Sequence, residues 1–160
     1  MDKCKVLVVD DESRMRKLVS DFLTKQGYEV LEAGDGEAAL DIFYKDKDIQ
    51  LIILDVMMPK LDGWGVCREI RKDSKIPIIM LTARGDERDE LLGFELGVDE
   101  YISKPFSPKI LVARVEAILR RTRRGKESLK KRFLRWHNPN QVQGSKRSFL
   151  SAFRLPFLFC

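Results

Sequence analysis

Hydrophobic and polar positions alternate in two ways along residues 1–121 of the chain. Short, nearly continuous apolar runs predict five strands, at Lys5–Val9, Glu29–Glu32, Leu51–Leu54, Ile78–Leu81 and Tyr101–Ser103. Amphipathic stretches after these runs predict five helices, at Ser13–Gln26, Glu37–Tyr44, Gly65–Lys72, Glu87–Leu96 and Pro108–Arg121. In the first helix, apolar residues at i, i+3, i+4 and i+7 spacing predict one buried face, formed by Met15, Leu18, Val19, Phe22 and Leu23.

Two of the strands, which contain the runs VLVV and LIIL, are apolar on both faces. Such strands are typical of the centre of a parallel sheet that helices cover on each side. Because parallel neighbours need crossover connections, five strand–helix units predict an α/β sandwich with a doubly wound five-stranded parallel sheet, in the strand order 2-1-3-4-5. We expect Ser13 and Ser107 to cap helix N-termini, and Gly27 and Gly97 to end helices.

Charge divides the chain into two parts. The 160 residues carry a net charge of +5, but residues 1–120 hold 19 basic and 24 acidic residues, a balance of −5. Residues 121–160 hold 11 basic residues and one acid, Glu127, a balance of +10. We therefore predict one domain at residues 1–121 and a basic linker or tail at residues 122–160.

Composition excludes several classes of protein. No apolar run approaches the roughly 20 residues needed to span a bilayer, and the charged N-terminus does not fit an export signal. Three cysteines at unpaired spacings suit reduced thiols, so we expect a cytoplasmic protein. A single histidine, His137, leaves little room for histidine-dependent metal or hydrolase sites.

Residues with useful chemistry follow four of the five predicted strands. Asp10 and Asp11 follow the first strand, Asp55 the third, Thr82 the fourth and Lys104 the fifth. The carboxyl ends of parallel strands meet at one edge of such a sheet, which is where ligands bind. A single aspartate in such a place is more often a turn residue or a helix cap, but five suitable residues at four strand ends favour a shared site.

The chemistry of this set points to phosphoryl transfer. Three clustered carboxylates repel one another, so their pKa values rise unless a cation neutralises them, and Mg²⁺ prefers such oxygen ligands. Lys104 adds positive charge and Thr82 adds a hydroxyl donor, both suited to phosphoryl oxygens. Asp55 then has a carboxylate free to attack phosphorus and form an aspartyl phosphate.

Four motifs occur in order and resemble the receiver (CheY-like) domain of two-component response regulators: VLVVDDE, LIILDVMMPKLDGW, IPIIMLTAR and GVDEYISKPF. The resemblance covers residues 3–121 and implies the flavodoxin/CheY-like sandwich. It implies that Asp55 accepts a phosphoryl group from the phosphohistidine of a sensor histidine kinase. It also implies Mg²⁺ bound by Asp11, Asp55 and the backbone carbonyl of Met57, with Asp10 acting largely through water.

The resemblance further implies a switch. Lys104 bridges to the phosphoryl group and precedes a cis bond to Pro105, and Thr82 and Tyr101 form the switch pair. When the phosphoryl group draws Thr82 inward, space opens for Tyr101 to rotate, which changes the face formed by the fourth helix, fifth strand and fifth helix. Such a chain is no enzyme in the usual sense, but a phosphoacceptor that assists its own phosphorylation and dephosphorylation. Since Met57 orients no water and Arg84 can cover the phosphoryl group, we expect slow self-dephosphorylation.

The segment FSPKILVARVEAILRR resembles the fifth helix of the winged-helix (OmpR/PhoB) class of regulators, whose ancestral output is transcription regulation. In that class the activated receivers form homodimers through charge pairs. Asp99 and Glu100 match the acidic members of these pairs, and Arg114 and Arg121 match the basic ones. A third pair is absent because Glu90 and Ile110 occupy its positions; an exposed pair contributes only about 0–1 kcal/mol, so its loss need not abolish the dimer.

The basic tail has three interpretations. Residues 122–160 show no recognition-helix or wing pattern, so we do not expect sequence-specific DNA binding from this chain. We favour a disordered or truncated remnant of an effector region. The cluster of Lys130, Lys131, Arg132 and Arg135 with aromatic neighbours also fits a nucleic-acid patch or a membrane-surface helix.

Rival functions of the acidic edge fit less well. A haloacid-dehalogenase-like phosphatase needs a second acid two residues after its nucleophile, where this chain has Met57. A flavodoxin-like FMN protein needs hydroxyls and amides in its first loop, where Asp10 and Asp11 would repel a phosphate. A basic DNA-binding module would rest on the tail alone.

Overall fold

Each predicted strand and helix has a counterpart in the computed structural model, which describes residues 3–83 and 87–136. The strands are β1 (Lys5–Val9), β2 (Glu29–Ala33), β3 (Ile49–Asp55), β4 (Ile78–Thr82) and β5 (Glu100–Ser103). The helices are α1 (Ser13–Lys25), α2 (Gly36–Lys45), α3 (Gly63–Arg71), α4 (Glu87–Leu96) and α5 (Pro108–Trp136).

The five strands form one parallel sheet in the order β2-β1-β3-β4-β5, which confirms the predicted fold class. In the registers of the central strands, Val9 lies beside Leu54 and Asp55 lies beside Leu81. The carboxyl ends of β1, β3 and β4 therefore stop at nearly the same level. Since strand order reverses between β1 and β3, the residues that follow these two strands face a common crevice.

Alternate side chains of the sheet enter two hydrophobic cores. Leu7, Ile52 and Met80 belong to a core that also holds residues of α2 and α3, whereas Val8 and Ile53 belong to a core that holds residues of α1 and α5. All five side chains are essentially inaccessible to solvent. The strands are apolar on both faces because each face is covered.

The helix ends differ partly from the expectation. Gly27 and Gly97 have positive φ angles of 90° and 66°, as the predicted helix ends require. The prediction of Ser13 as an N-cap is wrong, because Glu12 occupies that position and Ser13 is the first helical residue. Leu18, expected on the buried face of α1, is 41% exposed, while Val19 and Leu23 are buried.

The fifth helix is longer than the pattern predicted. The chain divides into a unit of residues 1–120 and a unit of residues 121–160. The described part of the second unit, residues 121–136, is helical and consists of eight basic residues, one acid and seven other residues, a net charge of +7. Lys, Arg and Leu favour helix, which accounts for the longer element. The functional division at residue 121 stays a prediction.

Residues 137–160 of the tail, with His137 and the apolar C-terminal segment, lie outside the described residues. Among the helices of residues 3–83 and 87–136, none combines the length and the apolar character that crossing a membrane requires.

Candidate functional site

Three aspartates meet at the carboxyl edge of the sheet, as their positions predicted. Carboxylate oxygens of Asp10, Asp11 and Asp55 all lie within 4.8 Å of one another. Asp10 is 1% exposed and Asp55 is 4% exposed, whereas Asp11 is open to solvent. Two carboxylates are thus buried beneath a third that faces outward.

Lys104 reaches this cluster from the end of β5. Its Nζ atom lies 3.2 Å from Asp10 Oδ2 and 3.2 Å from Asp55 Oδ2, so that one ammonium group bridges both buried carboxylates. The remaining oxygens accept backbone hydrogen bonds: Asp10 Oδ1 from the Glu12 N–H at 2.9 Å, and Asp55 Oδ1 from the Met57 N–H at 3.2 Å. These bonds fix the orientation of both carboxylates.

Thr82 ends β4 next to this group. It is 2% exposed, and its backbone carbonyl accepts a hydrogen bond from the Lys104 N–H at 2.6 Å. The chain end of β4 is therefore tied directly to the residue whose side chain bridges the acids. The structure brings together all five residues that the sequence pattern selected.

The cluster is electrostatically unbalanced. Three carboxylates and one ammonium carry a formal charge of −2. Burial raises the pKa of Asp55 to about 6, with a further increase from the neighbouring charge of Asp10, and Lys104 only partly opposes both effects. The two carboxylates in turn hold the pKa of Lys104 above its usual value, against the effect of its own burial. Lys104 therefore stays charged, and the net charge of the cluster is negative.

The donor set fits a magnesium ion. A charge of −2 is what one divalent cation neutralises, and clustered carboxylate oxygens are the ligands that hard cations prefer. Burial first and the Asp10 charge second raise the pKa of Asp55, so a cation bound here would also relieve an unfavourable carboxylate. Asp10, Asp11 and Asp55 are the side chains able to hold the ion.

The loop after β3 positions Asp55 through a glycine that sequence reasoning missed. The Gly63 N–H donates a hydrogen bond to the Val56 carbonyl at 3.0 Å. A Cβ atom at position 63 would collide with the backbone carbonyl of Asp55 and lie 2.9 Å from the Val56 Cα. The Asp62 carboxylate accepts a bond from the Gly65 N–H at 2.8 Å and so caps α3. The Asp-Gly pair in LDGW was the available signal, since it combines a helix cap with a residue that permits close backbone approach.

Arg16 is a second residue that sequence reasoning missed. Its Nη1 atom donates to the Asp10 carbonyl at 2.7 Å, while its Nε atom lies 3.7 Å from Glu32 Oε1. The guanidinium thereby holds the backbone that carries Asp10 and Asp11. Nothing in the local sequence pattern distinguishes Arg16 from other basic residues on α1.

The expected switch residues Tyr101 and Pro105 lie in β5 and in the loop that follows it. Tyr101 lies in β5, is half-buried and stacks on Trp64, with ring centroids 6.3 Å apart and an interplanar angle of 17°. The Lys104–Pro105 peptide bond is cis, as the resemblance implied. Met57 is 69% exposed at the mouth of the site. Arg84, expected to cover a phosphoryl group, lies outside the described residues.

Three of the four residues expected at a dimer interface, Asp99, Glu100 and Arg114, already have polar contacts within the chain. Asp99 Oδ2 accepts a bond from the Ile78 N–H at 3.0 Å. Glu100 Oε1 lies 3.4 Å from Arg114 Nη1, and Arg121 is exposed. Of the two residues at the missing third pair, Ile110 is 55% exposed and the Glu90 side chain is outside the described set.

The fold and this site together define the receiver class, in which a lysine and an acidic cluster surround an aspartate at the switch point of the sheet. A model of the response regulator receiver domain matches residues 6–116, and the chain belongs to that family. The resemblance seen in the sequence motifs is thereby confirmed.

Individual relatives agree with this membership. The probable transcriptional regulator ycf27 of Guillardia theta is 58% identical over 120 residues, which are 75% of this chain and 47% of the relative. The chemotaxis protein CheY4 of Vibrio cholerae is 34% identical with a TM-score of 0.69, over 72% of this chain and 98% of that structure. The response regulator DrrB, an OmpR/PhoB homologue of Thermotoga maritima, is 37% identical with a TM-score of 0.66, over 76% of this chain and 54% of that structure. The chain spans about half the length of the curated relatives it matches.

Proposed function

We propose that this receiver domain accepts a phosphoryl group on Asp55 from a sensor histidine kinase. In the transfer, the bond between phosphorus and the histidine nitrogen breaks, and a bond forms between phosphorus and a carboxylate oxygen of Asp55. The observation that carries this proposal is the buried cluster in which Lys104 Nζ lies 3.2 Å from both Asp10 and Asp55. Such a lysine is already placed to neutralise oxygen charge that develops beside Asp55.

Each residue of the cluster has a distinct role in the proposal. Asp10, Asp11, Asp55 and the backbone carbonyl of Met57 would hold Mg²⁺, which when bound supplies positive charge to phosphoryl oxygens. Lys104 binds the phosphoryl group, and Thr82 donates a hydrogen bond to one of its oxygens. The chain thus acts as a phosphoacceptor that assists its own phosphorylation and dephosphorylation.

The proposal includes slow loss of the phosphoryl group. Hydrolysis needs an oriented water, and the side chain at position 57 is an exposed thioether with no group able to orient one. A phosphoryl lifetime of only seconds in the absence of a phosphatase would contradict this part of the proposal.

The proposed output is a change of the α4–β5–α5 face that permits dimerisation. Because Glu100 and Arg114 pair within the chain at 3.4 Å, a dimer that uses them must exchange this contact for one across the interface. Both side chains are partly exposed, so the exchange costs little.

Transcription regulation is the proposed role of the whole protein, since the ycf27 relatives are named as probable transcriptional regulators. A cytoplasmic location, supported by the buried free thiol of Cys67, completes the proposal.

Intact mass measurement tests the central step. The full chain is incubated with acetyl phosphate, with and without Mg²⁺, beside Asp55→Asn and the matched control Asp21→Asn, which removes an exposed carboxylate of α1. We expect one added phosphoryl group in the parent and in Asp21→Asn, and none in Asp55→Asn or without Mg²⁺. An unchanged parent mass in folded, Mg²⁺-supplied protein would refute phosphorylation of Asp55.

A further inference from the structure

Trp64 touches three parts of the molecule that the switch must connect. Its side chain is 5% exposed, and it is the second residue of α3, directly after Gly63. Its ring lies 6.3 Å from the Tyr101 ring, nearly parallel to it. Its Cη2 atom lies 3.6 Å from the place where a Cβ on Gly93 of α4 would stand.

The backbone next to Trp64 is fixed to the phosphoacceptor. Gly63 packs against the Asp55 carbonyl so closely that no Cβ fits, and its N–H bonds to the Val56 carbonyl at 3.0 Å. A displacement of the Asp55 backbone therefore moves the first turn of α3, since close-packed contacts of this kind do not yield independently. Trp64 is the next residue, and it carries that movement to an aromatic ring.

From these contacts we infer that Trp64 is a positioning residue, which transmits phosphorylation of Asp55 to Tyr101 and α4 alongside Thr82. The inference rests on the proposed function, because it requires Asp55 to be phosphorylated. In the structure the stack favours one orientation of Tyr101. Movement of α3 weakens that stack, and so changes the ratio between the stacked orientation of Tyr101 and its other orientation. An aromatic pair of this kind changes such a ratio about 2- to 12-fold.

Fluorine NMR of the full chain labelled with 3-fluorotyrosine tests the inference. The chain has three tyrosines, and Tyr101→Phe identifies the Tyr101 resonance. Trp64→Met removes the ring but fills the space with a flexible side chain, Trp64→Phe keeps a ring that stacks, and Trp136→Phe is the control at the other tryptophan. Phosphorylation by acetyl phosphate and Mg²⁺ is followed by intact mass in the same samples.

We expect all four chains to gain one phosphoryl group. The Tyr101 resonance should move on phosphorylation in the parent, Trp64→Phe and Trp136→Phe. In Trp64→Met the Tyr101 resonance should already differ from that of the parent before phosphorylation. Its shift on phosphorylation should then be severalfold smaller than in the parent. A merely structural role of Trp64 would lower stability without this selective loss of response.

The outcomes separate the two proposals. If the parent gains no phosphoryl group, the proposed function fails and this inference fails with it. If the parent is phosphorylated and Tyr101 moves equally in the parent and in Trp64→Met, only the inference is overturned.

A second measurement covers the case in which Trp64→Met does not fold. In a Trp136→Phe chain, Trp64 is the sole tryptophan. Its emission should change on phosphorylation; the part of this change that comes from the stack should be lost when Tyr101→Leu is added, while the part that comes from movement of α3 should remain. An equal change with and without Tyr101 would also overturn the inference.

Discussion

The charged side chain of Arg71 is matched by partners at the amino end of the sheet, but charge remains in excess at the carboxyl end. At the amino end, Arg71 is 14% exposed and donates hydrogen bonds to the carbonyls of Leu96, Ile76 and Gly97 at 2.7, 2.8 and 3.1 Å. Its Nη2 atom also lies 4.0 Å from Asp99 Oδ2. At the carboxyl end, three aspartates share one lysine, and the pKa of Asp55 is raised to about 6.

The amino end of the sheet serves stability, because Arg71 has its partners there, whereas the carboxyl end is arranged for a functional site. The charge on Arg71 is matched by the carbonyls of Ser74 and Ile76, in the loop between α3 and β4, and by those of Leu96 and Gly97 at the end of α4, so it ties these segments together. The negative charges at the carboxyl end remain in excess, which destabilises the fold but creates a place where a cation can bind, as the proposed function requires. Functional sites are commonly less stable than the scaffold that carries them.

The largest expected change in stability comes from removing the hydrogen bonds of Arg71 at the amino end of the sheet. Arg71→Ala removes four hydrogen bonds and leaves carbonyls of α4 without their donor, so we expect a loss of about 2–4 kcal/mol in the free energy of unfolding. Urea denaturation measures it, with Arg68→Ala, an exposed residue of the same helix, as control. Similar midpoints for both variants would show that the Arg71 hydrogen bonds contribute little to stability.

The next effect concerns the backbone beneath the site. Gly63→Ala places a methyl group against the Asp55 carbonyl, and overpacking of this kind costs about 1–3 kcal/mol. Because the displaced group is the backbone of Asp55, the proposed phosphoacceptor, phosphorylation by acetyl phosphate should also slow. Gly93→Ala is the control, since its added Cβ meets only ordinary contact at 3.6 Å from Trp64. A Gly63→Ala chain with parental stability and phosphorylation rate would contradict the close packing.

Removing the excess negative charge of Asp55 is expected to raise stability, whereas the two preceding substitutions lower it. The folded-state pKa of Asp55, about 6, is above the usual value of 3.8, so the folded chain binds this proton more tightly than the unfolded chain. Without Mg²⁺, stability should therefore fall as pH rises from about 4 to about 6 and stay lower above that range. Asp55→Asn should abolish this fall and raise stability at neutral pH by about 1–3 kcal/mol.

Denaturation in EDTA across this pH range measures the effect, with Asp21→Asn as the control. Added Mg²⁺ should restore stability at neutral pH in the parent and much less in Asp55→Asn, because only the parent keeps all three carboxylates. A parent whose stability rises between about pH 4 and about 6 relative to Asp55→Asn would overturn the assigned sign.

The smallest effect is expected at an exposed pair near the amino end of β5. Glu100→Gln removes the contact with Arg114, whose side chain is 54% exposed, and should change the free energy of unfolding by no more than about 0.5 kcal/mol. The same variant should weaken any dimer of the phosphorylated chain, measured by sedimentation. Unchanged dimerisation would remove Glu100 from the proposed interface.

Much of the site was predictable because strand ends are visible in the sequence. Asp10, Asp55, Thr82 and Lys104 each end or follow an apolar run, and the parallel topology brings such positions to one edge. Trp64 was not predictable as a partner of Tyr101, since 37 positions separate them and the helical pattern marks Trp64 only as apolar. The same holds for Arg71, since two of its four hydrogen-bond acceptors lie 25 and 26 residues further along the chain.

The sequence by itself determined the element order, the parallel sheet and the set of residues at its carboxyl edge, because periodicity and strand ends are local properties of the chain. Only the tertiary structure decided how charge is shared. It buried Asp10 and Asp55 but left Asp11 exposed, gave both buried acids the same lysine, and satisfied Arg71 at the opposite end. These outcomes depend on distances and desolvation between segments far apart in sequence, which no local pattern encodes.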